Sequence, residues 1–83
     1  MNIHDMTTEQ LYDIEITSVE FGKQLAEDIR LELVELHREM IGIYDNAKWQ
    51  ELCDRRYDLR KVRQAVQHLT GQLYLYQKQT HRR

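Results

Sequence analysis

From Leu11 to Ile43 an apolar residue returns at every third or fourth position: Leu11, Ile14, Phe21, Leu25, Ile29, Leu33, Leu36, Met40 and Ile43, with Ser18 the one polar interruption. The nine intervals average about 3.6 residues, the spacing of one face of an α-helix. A second stripe runs Trp49, Leu52, Arg56, Leu59, Val62, Val66, Leu69, Leu73 and Tyr76, with a mean interval slightly under 3.4, close to that of a coiled-coil seam. Proline, which would break the backbone ladder, is absent throughout. An all-α chain follows. Residues 12–21 also alternate like a strand, but the alternation fails between Ile16 and Val19 while the helical period continues. Helix is therefore expected there, with a weak point or bend at Gly22.

Local signals set the ends of these helices. Thr7 with Gln10 three residues later forms a capping box, and Met6 and Leu11 stand at the two ends of a hydrophobic staple. Gly42 suits the end of a first helix, and Asp45 or Asn46 suits the cap of a second. The expected single helical domain, residues 1–83, has a helix over about 8–42, a turn over about 42–46, a helix over about 47–78 and a basic tail over 79–83. Such helices pack as a long antiparallel hairpin. Its seam comprises Leu25, Ile29, Leu33, Leu36 and Met40 against Trp49, Leu52, Leu59, Val62, Val66, Leu69 and Leu73.

The apolar positions are too many for two helices to cover. Tyr12, Ile16, Val19, Ala26, Leu31, Val34, Ile41 and Tyr44 flank the first stripe, and Tyr57, Ala65, Tyr74 and Leu75 flank the second. Self-association is the simplest way to bury them, as a homodimeric four-helix bundle or a higher oligomer. The competing arrangement folds the N-terminal segment back as a third helix, breaking at Gly22.

Composition narrows the setting. A chain of 83 residues with 41% hydrophobic and 31% charged residues has the balance of one small folded domain rather than a disordered segment. The lone Cys53 makes no intrachain disulfide, which fits a reducing compartment, and is expected half-buried on its helix. No basic-then-apolar leader opens the sequence, and the apolar run Met40–Tyr44 is far too short to span a bilayer. The expected location is the cytoplasm, with no membrane partner.

The near-neutral net charge of −2 conceals a polarised chain. Residues 1–47 hold eleven acids and three basic residues, whereas residues 48–83 hold three acids and nine basic residues. One explanation is pairing across the hairpin: Glu32 opposite Arg55 or Arg56, Asp28 near Arg60 or Lys61, and Glu27 near Lys61 or Arg63. Partner numbers would then sum to about 87–90, and the pairs would fix register more than they add stability. The functional alternative is a partner- or anion-binding face made by Arg55, Arg56, Tyr57, Arg60, Lys61 and Arg63, with Lys48 at its edge. It would suit a nucleotide in an interhelical pocket, or nucleic-acid phosphates with Tyr57 stacking on a base. The adjacent acidic helix counts against a long polyanion.

Two acidic pairs of i,i+3 spacing, Glu32 with Glu35 and Glu51 with Asp54, fall on opposite helices. Facing carboxylates of this kind hold magnesium for attack on a phosphate chain. Over about 23 residues the spacing resembles the acidic signature of the all-α nucleotide pyrophosphohydrolases, the MazG-like family. The resemblance implies a magnesium-dependent nucleotide hydrolase with those four residues as metal ligands. Two positions depart from the family pattern: Leu31 stands where the family has a further acid, and Arg55-Arg56 follow the second pair where it is apolar.

Other catalytic templates are missing: there is no Glu-x-x-His, no His-Glu-x-x-His and no phosphate-binding glycine loop. His37 and His68 are expected in solvent, and His4 and His81 lie near the termini. Trp49 is expected to anchor the core beside the turn. Tyr74 and Tyr76 put aromatics on two faces, one of which suits a partner. The leading expectation is a non-enzymatic protein–protein interaction module, a small adaptor, regulator or inhibitor acting as an oligomeric bundle without a cofactor.

Overall fold

The helix ends beside the connectors rest on specific side-chain and backbone bonds. The computed structural model describes residues 2–80, and within them a 3-10 turn at Ile3–Asp5 precedes α1 (Thr8–Tyr12), α2 (Val19–Ile41) and α3 (Asn46–Thr80). The capping box at α1 forms as expected: the Gln10 amide donates to Thr7 Oγ1 at 3.1 Å, and the Thr7 amide donates to Gln10 Oε1 at 2.9 Å. At the turn Gly42 is the C-cap of α2, with φ −95° and an amide that donates to the Glu39 carbonyl. Asp45 starts α3: its side chain accepts from the Ala47 amide at 3.0 Å and its carbonyl accepts from the Trp49 amide at 2.9 Å.

The expected continuous helix over about 8–42 is instead two helices. α1 ends after five residues, and an irregular connector leads to Ser18, whose backbone is extended (φ −152°, ψ 161°). Ser18 accepts from the Phe21 amide at 3.0 Å and so caps α2. The β-branched residues Ile14, Ile16 and Thr17 lose side-chain freedom in a helix, and a serine ahead of an apolar run satisfies an orphan amide that helix continuation would not need. Gly22 lies inside α2 and marks no bend boundary. Ser18→Ala is expected to lower stability by about 1 kcal/mol, read as a lower melting temperature.

α2 and α3 pack together as a hairpin over a core that includes Leu25, Ala26, Ile29, Leu36 and Met40 against Leu52, Leu59, Val62 and Val66; Ile29, Leu59 and Val62 have no exposed surface. The helices are in close contact where Gly22 meets Thr70, so register numbers sum to 92 there, beyond the expected range. Four expected seam positions differ. Trp49 is 45% and Leu69 is 49% exposed, while Leu73 is only half-buried; the buried Thr70 takes the seam position next to Leu69. Leu33 is also half-buried, as is Cys53, the latter as expected.

The N-terminal segment turns back over one flank of the hairpin, at residues 13–18 rather than at Gly22. It buries Ile3 and Leu11 and lays Met6, Ile14 and Ile16 against the core. Arg55 Nη2 donates to the Ile3 carbonyl at 3.3 Å, and His4 Nδ1 meets Glu32 Oε1 at 2.9 Å. Part of the apolar surplus that favours a dimer is thus covered by the chain itself. The result is a rod of 59 × 19 × 19 Å.

The His4 contact makes this docking pH-dependent. Its bond to the Glu32 carboxylate, and then the charge of that carboxylate, hold the imidazole pKa above its ordinary value. A raised pKa in the folded state means that the contribution is complete below about pH 6.5 and fades as pH rises through the folded value. With His4 largely exposed, salt screens it. Amide exchange in residues 3–12 is expected to quicken as pH climbs through that window, beyond the intrinsic rate change, and His4→Ala should abolish the excess.

Candidate basic groove

On the flank away from the N-terminal segment the hairpin is open. Helical spacing explains what faces it: Arg56, Arg60 and Arg63 stand at i, i+4 and i+7, one stripe of α3. At about 100° per residue, the three acids of α3, Glu51, Asp54 and Asp58, fall on the opposite side. In α2 the same arithmetic turns Arg30, Val34 and His37 toward the opening, and Asp28, Glu32, Glu35 and Glu39 away from it. The groove between them, about 880 Å³, is lined by Arg30, Leu33, Val34, His37 and Arg38 of α2 and by Arg56, Tyr57, Arg60, Lys61, Arg63, Gln64 and Gln67 of α3. Six cationic side chains line it and no carboxylate does.

Neutralisation inside this cluster is sparse. Arg30 pairs with Glu27 of its own helix at 2.6 Å, and Arg38 with Glu35 at 3.0 Å. The Glu27 carboxyl is held below its ordinary range, first by Arg30 and more weakly by Arg63. Arg56 and Arg60 have no hydrogen bond or ion pair among the described residues, and Arg63 Nε is buried without a partner. Lys61 Nζ sits 4.5 Å from the centroid of the Tyr57 ring, a cation–π contact, and the Tyr57 phenol raises its pKa, chiefly through a hydrogen bond.

The expected cross-hairpin pairs of Glu32, Asp28 and Glu27 with the α3 cations therefore do not form as ion pairs. Glu27 and Asp28 bond within their own helix and Glu32 bonds to His4; Asp28 and Glu32 lie on the face of α2 that points away from the arginines. Arg55 also departs from the expected binding set: it is half-buried on the other flank, holding Ile3. The remaining five, Arg56, Tyr57, Arg60, Lys61 and Arg63, come together.

The four carboxylates of the pyrophosphohydrolase resemblance are not gathered. Glu32 bonds to His4, Glu35 to Arg38 and Asp54 to Gln50, while Glu51 lies 4.0 Å from Lys48. No group of three or more His, Cys, Asp or Glu among the described residues is placed to hold a metal ion.

A second hollow of about 510 Å³ continues the groove toward the other end of the hairpin, sharing Arg63 and Gln67 with the first. Its walls are Val19, Gly22, Lys23, Ala26 and Glu27 on one side and Thr70, Gly71 and Tyr74 on the other. The basic wall on α2 was legible in one unread signal: Lys23, Arg30 and His37 recur at seven-residue intervals. No described helix is long and apolar enough to cross a membrane. No family model, curated protein or solved structure matches the chain, so this groove is the feature on which a functional reading stands.

Proposed function

We propose that the chain is a non-enzymatic protein–protein interaction module that takes an acidic segment of its partner into the groove between α2 and α3. The observation that carries this reading is the cluster of Arg56, Arg60 and Arg63, of which the first two have no ion-pair partner among the described residues and the third meets only Glu27, already bonded to Arg30. Arginine suits the task, since its planar fork binds carboxylates at two points and is weakly hydrated. Bound there, the module would act by occlusion or by holding its partner in place.

The same cluster limits how the chain meets itself. A two-fold four-helix bundle closing on this face would set two arginine clusters against each other. We assign any homodimer to the other flank, where the exposed Tyr12 and Leu69 share a shallow hollow.

Titration of the labelled protein with a short polyglutamate tests the reading by NMR. Expected are shifts at Arg56, Tyr57, Arg60 and Arg63 that weaken with added salt. An unchanged spectrum at low salt would remove the proposal.

A further inference from the structure

The groove has the length and the lining of an unfilled helix position. The two hollows are continuous through Arg63 and Gln67 and run beside residues 19–38 of α2. Twenty helical residues span about 30 Å. The other flank of the hairpin is already covered by the N-terminal segment, so this is the side on which a third element packs.

We infer that the occupant is an amphipathic α-helix of another protein, about 20 residues long, acidic along its middle, which completes a three-helix bundle with α2 and α3. The inference rests on the binding reading above and narrows it to one partner chemistry. Three observations carry it. The arginine stripe repeats at i, i+4 and i+7, which a helix answers with carboxylates at i+3 and i+4 spacing. Between the cations lie Leu33 and Val34, half-buried and 38% exposed, a floor that an apolar stripe covers. At the far end Gly71 leaves room for close backbone approach: it is exposed, and a side chain grown from it meets nothing within 4 Å.

Charge decides among occupants. A second copy offers the exposed acids of its own α3, Glu51, Asp54 and Asp58, only in a head-to-tail contact, because they lie on the side opposite the groove, and such a contact propagates instead of closing. A nucleic-acid strand carries phosphates along its whole length and brings no apolar stripe, yet beyond the arginines it meets Lys23 offset by Glu27 and otherwise uncharged residues, a wall with no net charge. A helix with a limited acidic block meets each part of the groove with a matching surface. One of its carboxylates also pairs with the guanidinium of Arg63, which borders both hollows.

Selection from a displayed library of random peptides of about 20 residues tests this, with the intact chain as bait and an Arg56→Glu/Arg60→Glu chain as counter-bait. Expected winners carry acids at three- and four-residue spacing beside an apolar stripe. As free peptides they should gain helicity on binding and lose roughly 30-fold or more against the charge-reversed chain. Gly71→Leu, which the folded chain accommodates, should weaken them about tenfold by filling the small-residue end, while leaving polyglutamate binding unchanged. Acidic winners with no helical period or no gain in helicity would overturn the helix and spare the binding reading. A labelled oligothymidylate that binds the groove more tightly than every peptide would assign the site to nucleic acid instead. No enrichment over the counter-bait and no polyglutamate binding would sink both.

Discussion

Gly22→Ala is expected to destabilise the fold by about 1–3 kcal/mol, even though alanine favours a helix over glycine by about 1 kcal/mol. A methyl built at this position overlaps Thr70 Oγ1 and comes within 2.9 Å of Thr70 Cβ and Cγ2. The threonine cannot simply turn aside. It is 7% exposed, and its hydroxyl donates to the Val66 carbonyl at 2.6 Å, so moving it breaks a buried bond and shifts α3. Adding Thr70→Ala should restore only part of the loss: it removes the overlap with Oγ1 and Cγ2, but the Cβ of residue 70, 2.9 Å from the added methyl, remains. Urea unfolding of the two single variants and the double variant measures the coupling. If Gly22→Ala alone raised the midpoint, the helices would not cross at this register.

Particular residues explain how much of this was readable beforehand. The capping box at Thr7, the stop at Gly42 and the start at Asp45 rest on local bonds between near neighbours, and local bonds are visible in sequence. Ser18 was visible too, but as a blemish in an otherwise helical stripe; its alternative role as a cap requires the chain to leave the helix just before it. Periodicity alone does not choose between those, because a helix that stops and restarts can keep the phase of its apolar residues. Leu69 and Thr70 exchange their expected places for a similar reason. Where two helices meet at a glycine, a small threonine fits the contact, and the larger leucine beside it is left 49% exposed.

The site divides in the same way. Arg56, Arg60 and Arg63 announce one face of α3 by spacing alone, whereas their relation to the acids of α2 depends on how far each helix is rotated about its axis. The net charges of the two halves suggested attraction between the helices. Helix rotation instead sends Glu32 to His4 and leaves the arginines in the open groove, and only Lys23, Arg30 and His37, a seven-residue repeat within the acidic half, mark that rotation in the sequence.

Arg56→Glu/Arg60→Glu is expected to leave the melting temperature unchanged or to raise it, while binding of an acidic partner falls by roughly 30-fold or more. The two outcomes come from one cause. Six cations line the same groove, and replacing two of them with carboxylates relieves repulsion and supplies partners to those that remain. Had the basic helix served to hold its acidic neighbour in register, the same change would set like charges against each other and melting would come earlier. Circular dichroism melts at low and high salt separate the cases: the gain in stability should shrink as salt screens the relieved repulsion. A charge pattern that evolves for packing is damaged by reversal, and one kept for a partner is damaged only when the partner is present. A variant that melts later but no longer binds therefore identifies the arginines as a cost the isolated chain carries for recognition.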